Sequence, residues 1–584
     1  MTRYRSQAVR VMAAVMTVVA ALSMAGCASG PLGLPVDGGV LSLAPAEQQT
    51  RRVYTNPQGP SAGAQPETIV EGFYDAMPAG VQSDGFRVAH EFLTDTAGES
   101  WDGDEGAVIY DGTPVFKRRA NTMGSSQGVS SSLIIAVELH IIGTLDERGL
   151  YSAVDGGQTS TITYTLVKDG DEWRIDGLEQ GVVISSADFE QVFRQVSVYQ
   201  VAASGIEMVP DVRWFSWRNW RVKAVRELLR GGAEWMRNAL APLDVSRVRL
   251  AVNSVPLTDN TPQVEFDDGI DDLSPDDRAT LVRLIRLTLG DGNAQYEVSI
   301  TSSGVNYSEA DANVDLTVAT PDAGVYTLTG GRVVALASSS ALRVGEIEGY
   351  SGARGFVFST SGGALLAADG TVECLSSDVR SCGVMFSGSP MRSIAGGVDG
   401  EIWAVSEDGR SLYVVHGGTS STMDLDWLDS NASISAVALS VEGGRLALAV
   451  RGGGHEGVVL SGVSRDSAGM PTGLSGTVLQ ASVQAQVGMV TFYNDTTLVY
   501  ATAANDNDDV AVGTGQQAFR QIAPGPDTEQ RLPDRTVTAM TSGQVAQYRR
   551  LAVLDDTGVV RSSSGSLDGS WTVADSQVDA LGAR

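Results

Sequence analysis

The feature that most constrains the fold is a repeated pattern in the C-terminal half of the chain: an apolar strand, a tight turn and a second apolar strand. Gly363, Gly400, Gly444 and Asp495 mark four of the turns, 37, 44 and 51 residues apart. The segments that share the pattern are 355–369, 393–409, 435–450, 489–502 and a degenerate 546–558. Repeats of about 40–50 residues are typical of four-stranded propeller blades. We predict a divergent β-propeller of five or six blades over residues 321–584; a flat β-sandwich explains the recurrence less well.

The N-terminus has the pattern of a secreted lipoprotein. Arg3, Arg5 and Arg10 precede an apolar run at 11–22 that Thr17 alone interrupts. This run is too short to cross a hydrocarbon core of about 30 Å as a helix, so it indicates a signal peptide. The sequence Met-Ala-Gly-Cys follows and places a cysteine directly after two small residues, which is the pattern of a bacterial lipobox.

We therefore predict a signal peptide over residues 1–26 and a lipidated linker over residues 27–64, with the lipid on Cys27. The linker is rich in Gly, Pro, Ser and Gln, a composition typical of a tether. Two or more acyl chains anchor a protein stably, and we expect the mature chain on the outer face of the cytoplasmic membrane. A cleaved signal with an incidental cysteine and an uncleaved anchor are the alternatives.

Length and charge limit the remaining possibilities. A chain of 584 residues is too long for one core, so three or four domains are expected. The formal net charge of −29 disfavours nucleic acid and anionic headgroups as ligands of a broad surface. No further apolar run reaches about 18 residues, so no later membrane span is predicted.

The two remaining cysteines, Cys374 and Cys382, form an even pair once Cys27 is lipidated. In an oxidising compartment such a pair predicts a disulfide, which would contribute about 2–3 kcal/mol by closing a short loop. Two free buried thiols and half of a metal site are the alternatives. No histidine or further cysteine lies near the pair in sequence.

Residues 65–199 place helices before long strands. Pro66 opens a predicted helix, and a second helix follows it. Their apolar faces carry Ile69, Val70, Phe73, Tyr74 and Met77, and then Phe86, Ala89, Phe92 and Leu93. Strands are predicted at 133–144, 160–168 and 172–176, the last two joined by a tight Asp-Gly turn. This order resembles the NTF2-like cone and implies an α+β domain, for which a closed structural role is favoured over a ligand pocket.

Residues 200–320 follow another pattern. Three tryptophans crowd between 214 and 220, ahead of a predicted helix that ends at Gly231. Trp235 opens a further helical segment, and Ser274 caps a later helix. Strands are predicted at 246–252, 263–266 and 295–301. The strings ELLRGG, VEFDDGI and LTLGDG resemble those of the GerMN domain of spore-germination and related envelope proteins, which implies a second α+β domain.

The search for catalytic chemistry yields no site. A G-x-S-x-G string at 124–128 lies in a Ser/Gly-rich loop before a strand, whereas a nucleophile elbow requires a turn from strand to helix. The four histidines are scattered and lack the spacing of metal ligands: His90, His140, His416 and His455. The acidic runs 267–272 and 506–509 could hold Ca²⁺ through clustered oxygens, but they lack the spacing of a calcium loop, and we interpret both as solvated acidic turns. A string at 566–571 that resembles an Asp-box occurs only once. We predict no catalytic residue, no cofactor and no metal site.

The order of lipobox, NTF2-like region, GerMN-like region and divergent propeller is similar to that of the LpqB family of actinobacterial lipoproteins, over nearly the whole chain. The resemblance implies a partner, the extracellular domain of the sensor kinase MtrB of the MtrA–MtrB two-component system. It also implies a non-enzymatic accessory role in cell-envelope and division signalling. The alternative is an envelope protein that binds or hydrolyses glycan, which would need a carboxylate pair at the propeller channel or the cone.

Overall fold

A computed structural model describes residues 57–583 with gaps. The gaps are 120–131, 155–158, 206, 308–315, 319–323, 337–341, 484–485, 503–518, 523–527, 530–535, 546–547 and 564–569. The described residues belong to one compact unit. Within these ranges no helix is both long and apolar enough to cross a membrane.

The first domain opens with helix α1 (Pro66–Ala79), as predicted. Pro66 lies in the first turn, where its missing N–H costs no hydrogen bond. Ile69 and Phe73 of the predicted apolar face are fully buried. A π-helical turn (Gly80–Asp84), helix α2 (Arg87–His90) and helix α3 (Asp95–Ser100) follow.

The predicted second helix is shorter than expected. The apolar residues assigned to it are all buried: Phe86, Ala89, Phe92 and Leu93. However, Gly85 and Phe86 are in left-handed conformations that interrupt the helix. After His90 the backbone turns to pair with Ile175. The apolar spacing predicted which side chains are buried. It did not predict the helix length, because backbone groups after His90 form hydrogen bonds with the sheet instead of continuing the helix.

A six-stranded sheet packs against α1. Its strands are β1 (Ala107–Arg119), β2 (Leu133–Leu145), β3 (Tyr151–Ala153), β4 (Thr159–Asp169), β5 (Glu172–Gly177) and β6 (Val182–Ser185). The order is β5-β4-β2-β1-β6, with β3 paired to β2, and only the β1–β6 pair is parallel. The three strands predicted from the sequence are β2, β4 and β5. Strand β1 was missed because its second half is polar and exposed. Helix α4 (Ser186–Val192) ends the domain.

The second domain has two small sheets and two long helices. Its elements are β7 (Phe193–Val201), β8 (Glu207–Ser216), α5 (Trp220–Arg230), β9 (Leu257–Thr258), β10 (Thr261–Phe266), α6 (Pro275–Leu289), β11 (Ser299–Ser302), β12 (Val305–Asn306) and β13 (Thr317–Val318). The sheets are ordered β13-β8-β7 and β12-β11-β10-β9. As predicted, the Ser274 hydroxyl caps α6 by accepting from the N–H of Asp277.

Two predictions for this domain need correction. The segment 246–252 is not a strand; it touches the sheet through a single bridge between Leu250 and Phe266. The segment predicted at 295–301 becomes a strand only from Ser299. Short 3₁₀ turns occur at Glu234–Ala239 and Asp268–Asp272. The sequence predicted a strand at 246–252 because arginines at 247 and 249 alternate with valine and leucine. These residues do not belong to the hydrogen-bonded ladder of a sheet.

The C-terminal domain consists of six antiparallel sheets of four strands each among the described residues. The first sheet contains β14 (Tyr326–Thr329), β15 (Arg332–Ala335), β16 (Leu342–Glu346) and the late strand β37 (Ala580–Gly582). The second contains β17 (Ala353–Ser359), β18 (Gly362–Ala367), β19 (Val372–Leu375) and β20 (Ser381–Val384). The third contains β21 (Met391–Gly396), β22 (Ile402–Ser406), β23 (Leu412–His416) and β24 (Thr419–Met423).

The other three sheets complete the domain. They are β25 (Ser433–Leu439), β26 (Arg445–Arg451), β27 (Gly457–Arg465) and β28 (Pro471–Ser482); β29 (Val487–Phe492), β30 (Leu498–Thr502), β31 (Phe519–Ile522) and β32 (Thr528–Glu529); and β33 (Val537–Val545), β34 (Tyr548–Asp555), β35 (Val559–Ser563) and β36 (Trp571–Ser576), followed by β37 (Ala580–Gly582).

These sheets are the blades of a propeller. The first strands of blades two to six and β37 contact one another in a closed cycle, β37-β17-β21-β25-β29-β33 and back to β37. Strand β37 is the inner strand of the first blade, where it pairs with β14. Radial repetition of this kind leaves only short, protected sheet edges. The fold class predicted from the sequence, an α+β N-terminal half followed by a propeller, is confirmed.

Candidate functional site

Several residues singled out in the sequence lie outside the described residues. They are Cys27, the loop at 124–128, the acidic run 506–509, and 566–569 of the string that resembles an Asp-box. The lipidation of Cys27 therefore stays a prediction. Cys374 and Cys382 are described: they face each other across β19 and β20 of the second blade, with Cα atoms 5.1 Å apart, and are joined as a disulfide.

The four histidines occupy separate structural positions. His90 bonds to the carbonyl of Phe86 within its own helical turn, and His140 lies exposed on β2. His416 lies 3.5 Å from the fully buried carboxylate of Glu401, and His455 packs edge-on against Trp427. Within the described ranges, no group of three or more His, Cys, Asp or Glu is placed to hold a metal ion.

The acidic run 267–272 serves local structure. The Asp267 carboxylate accepts from the backbone N–H groups of Gly269 and Arg249. The Asp271 carboxylate accepts from the hydroxyl of Tyr307. These are the capping and turn roles that aspartate has in proteins, and they fit the interpretation as a solvated turn.

The second domain docks on the fourth blade through an apolar contact. Trp235 and Met236 of the Glu234–Ala239 turn pack against β27 and β28. The approach is so close that a Cβ atom at Gly462 would lie 2.9 Å from the Cα atom of Met236, and one at Gly476 would lie 3.1 Å from the Cα atom of Trp235. The Ser475 hydroxyl donates to the carbonyl of Trp235. Because these two glycines of the blade have no side chain, the backbone of the turn can pack directly against the blade.

A buried ion pair reinforces the same junction. The Arg445 guanidinium donates to the Glu442 carboxylate at 2.6 Å, and both side chains are almost fully buried. It also donates to the carbonyls of Pro210 in β8 and Asp495 in the fifth blade. Burial alone would lower the pKa of Arg445, but the charge and hydrogen bond of Glu442 outweigh it and raise the pKa. One cation therefore joins two blades and the second domain.

A second network ties the first domain to the second. Arg148, in the turn before β3, donates to Glu227 of α5 at 2.7 Å. The buried Arg213 pairs with Asp211 at 2.8 Å and donates to the carbonyl of Arg148. Asp211 in turn accepts from the N–H of Ala233, which fixes the start of the docking turn. The three domains are thus held in one arrangement by buried charges.

The propeller encloses a central channel of about 210 Å³ lined by the six inner strands. Its walls are mostly small and apolar, as Ala436, Val437 and Ala539 illustrate. Among the described residues, the charged members of the lining are Arg354 and Arg392, with no aspartate or glutamate. This part of the lining thus contains no pair of carboxyl groups of the kind that glycoside hydrolysis uses.

The interior of the first domain is packed with apolar side chains. Phe73, Phe189 and Ile109 are among those that are fully buried. At its surface, partial burial and, secondarily, the negative charge of Asp188 in α4 raise the pKa of Asp75 in α1. Asp75 is exposed, and the Asp188 carboxylate accepts a hydrogen bond from the hydroxyl of Ser185.

Sequence reasoning missed the residues that carry these contacts. Arg445 opens a strand whose next five residues are all apolar, RLALAV, and a single charge in such a run is the available signal of a buried ion pair. Arg354 and Arg392 each occupy the second position of an inner strand. That equivalence becomes visible only when the blades are aligned on their structure.

Comparison with known proteins agrees with this architecture. The family described as "Lipoprotein LpqB, N-terminal domain" matches residues 59–190, and "Lipoprotein LpqB beta-propeller domain" matches residues 379–579. The chain is 57% identical to Lipoprotein LpqB of Bifidobacterium longum over 98% of both chains. It is 23% identical to Lipoprotein LpqB of Streptomyces avermitilis over 94% of both chains. It is 27% identical to that of Mycobacterium tuberculosis over 38% of this chain and 35% of the relative.

Among solved structures, virginiamycin B lyase of Staphylococcus aureus in its inactive form with quinupristin aligns with 44% of this chain and 86% of its own. The sequence identity is 12% and the TM-score 0.29. A likeness this remote supports no statement about ligand or activity.

Proposed function

Because the chain belongs to the LpqB lipoprotein family, we propose that it is a lipid-anchored extracytoplasmic protein that regulates a sensor histidine kinase of the MtrB type by direct contact. It performs no catalysis of its own. The observation that supports the absence of catalysis is the channel lining, whose described residues include two arginines and no carboxylate. Hydrolysis of a glycoside requires a pair of carboxyl groups on either side of the bond.

The locked arrangement of the domains supports a contact role. Buried ion pairs centred on Arg213 and Arg445 hold the first domain, the second domain and the propeller together. A rigid protein loses little conformational freedom when it binds, so more of its contact energy remains as affinity. This is a useful property for a protein whose task is to present a surface to a neighbour.

The predicted anchor supports the same proposal. A Gly- and Ser-rich linker of the length predicted from the sequence would have an end-to-end distance of roughly 35 Å. Such a tether would keep the folded domains within reach of the extracellular part of a membrane kinase. Confining both partners to one membrane raises their effective concentration, so that a weak contact is occupied.

The alternative function, hydrolysis of envelope glycan, would need a pair of carboxyl groups, for which Asp75 and Asp188 of the first domain are one candidate. Hydrolysis by this pair predicts that the double variant Asp75→Asn/Asp188→Asn abolishes the biological effect. The signalling proposal predicts that this variant behaves as wild type, because neither residue lies in the junction or the channel.

The test combines binding with signalling. We expect the mature protein to bind the purified kinase ectodomain with a dissociation constant on the order of tens of micromolar or tighter, sufficient for occupancy on a shared membrane. We expect kinase output to change when the gene is deleted and to be restored by wild type and by the Asp75→Asn/Asp188→Asn control. Absence of binding together with unchanged kinase output in the deletion strain would refute the proposal.

Deleting residues 321–584 would not test the contact with the kinase cleanly. The deletion would expose Trp235, Met236 and Val209, which are buried against the fourth blade. An exposed apolar patch of this kind promotes aggregation or adventitious binding. Point variants in the intact chain avoid the problem.

A further inference from the structure

The inner strands of the propeller share an irregularity. Five of them contain a β-bulge directly after their first or second residue, near one mouth of the channel. The bulged residues are Arg354, Arg392, Ser435, Gly488 and Thr538, and all five line the channel. A bulge breaks the alternation of the strand and re-aims its side chain. At the four positions other than Gly488, the bulge thus directs a side chain differently from a regular strand.

This mouth lies away from the second domain. The bulges are at the beginnings of the inner strands, whereas the junction uses turns that follow β25 and β29, at Glu442 and Asp495. The beginnings are neighbours around the ring: Arg354 donates to the carbonyl of Met391 at 2.8 Å, and Arg392 to that of Ile434 at 3.3 Å. The second domain therefore leaves the ring of bulges open.

The two arginines at the mouth differ in the number of hydrogen-bond and ion-pair partners that their guanidinium groups have. Arg354 forms an ion pair with Glu407 of the third blade at 2.9 Å. Arg392 has, among the described residues, one hydrogen bond, from Nη1 to the carbonyl of Ile434. A guanidinium has five N–H donors, so most of the donor capacity of Arg392 remains available at the channel.

The electrostatics favour an anion at this position. The hydrogen bond from Arg354 lowers the pKa of Glu407, and the charge of Arg392 contributes to the shift. Glu407 and Asp369 thus both interact with Arg354. The described residues that line the channel itself nevertheless include the two guanidinium groups and no carboxylate, although the whole chain carries −29. A cleft of one sign with low-dielectric walls focuses the field and concentrates ions of the opposite sign.

We propose that the channel mouth binds an anionic oxygen group, a carboxylate or a phosphate, with Arg392 as its main binding residue. The planar fork of arginine matches both groups through paired hydrogen bonds, and the Arg354–Glu407 pair already shows a carboxylate held in this manner beside it. The hydroxyl groups of Ser435 and Thr538 lie on the same ring but donate to backbone carbonyls of the blades, so the guanidinium of Arg392 supplies the donors for the anion. The volume of about 210 Å³ admits a small solute or one acidic side chain of a protein.

The test is calorimetric titration of the full-length protein with three probes: inorganic phosphate, glutarate and a blocked triglutamate peptide. We expect binding to at least one probe, weakened by salt because the attraction is electrostatic. Arg392→Gln should weaken it at least tenfold. Glu407→Gln should strengthen it severalfold, because it frees the second guanidinium. Arg380→Gln is the matched control, since Arg380 is exposed and pairs with Asp378 away from the channel.

The outcomes separate the sources of the anion. Binding of phosphate and glutarate indicates a free solute, whereas binding of the peptide alone indicates an acidic segment of a partner protein; either supports the site. No binding of any probe by wild type, or an unchanged affinity in both Arg392→Gln and Glu407→Gln, would overturn it. Glu407 is largely exposed, so its variant tests the site even where Arg392→Gln disturbs folding. Because the titration contains no kinase, its result is independent of the proposed function.

Discussion

The ion pair between Arg445 and Glu442 permits a quantitative test of how the domains are joined. Both side chains are almost completely buried, and the guanidinium also serves the carbonyls of Pro210 and Asp495. Breaking one partner of a buried pair costs about 3–5 kcal/mol, because the other charge remains buried without compensation. We therefore expect Arg445→Met to lower the free energy of unfolding by this amount.

The double variant Arg445→Met/Glu442→Leu should recover part of the loss. Removing both charges abolishes the uncompensated carboxylate, and replacement of a buried pair by apolar residues is often neutral. The carbonyls of Pro210 and Asp495 still lose their donor, at about 1 kcal/mol each. We expect the double variant to lie roughly 1–3 kcal/mol below wild type, more stable than the single variant.

Urea denaturation of the mature protein, followed by tryptophan fluorescence, measures these differences. Arg380→Met, on an exposed turn, is the control and should change stability by less than about 0.5 kcal/mol. A loss below about 1 kcal/mol in Arg445→Met would contradict the reasoning. A double variant less stable than the single variant would also contradict it, because the unpaired charge of Glu442 would then not be the cause of the lost stability.

Three further outcomes are expected. Hydrogen bonds to Asp555 outweigh its burial and hold its pKa at about 2. Asp555 therefore stabilises the fold fully above pH 4, and Asp555→Asn should cost about 2 kcal/mol at pH 7 but nothing below pH 2 in a denaturation series; a constant difference across pH would refute this. Non-reducing mass spectrometry should show Cys374 linked to Cys382, whereas alkylation of both thiols without reduction would argue against the disulfide. Cys27→Ala should release the folded protein from membranes, and continued membrane association would contradict the anchor.

The propeller was the most predictable part of the fold from the sequence. Segments 355–369, 393–409, 435–450 and 489–502 correspond to the first two strands of blades two to five, where two apolar strands flank a glycine or asparagine turn. These strands are packed between neighbouring blades, so nearly all their residues are apolar, as in β26. Periodicity is strong where burial is complete.

The first blade could not be recognised by the same pattern. Its inner strand, β37, comes from the end of the domain and pairs with β14 from the beginning. A local sequence window contains no trace of such a distant pairing. For the same reason the ion pairs of Arg445 and Arg213 were not predicted. Their environment forms only when the domains pack together, and local sequence patterns do not show that packing.

The candidate channel site was partly accessible. The absence of a catalytic motif directed attention away from nucleophiles and metals, but it did not identify a positive feature. Arg354 and Arg392 lie at bulges, and a bulge depends on the pairing of two strands rather than on the residue that occupies it. Their common position is a property of the assembled ring.

The position of β37 has a consequence for the export that we propose for this protein. A chain exported from its N-terminus presents β14 outside the membrane long before Ala580–Gly582 emerges. Until then the first blade lacks its inner strand, and the exposed edge of β14 is open to pairing with other chains. Ring closure therefore follows translocation of the whole propeller, and loss of these few residues from the chain would leave every preceding blade synthesised but the circle unclosed.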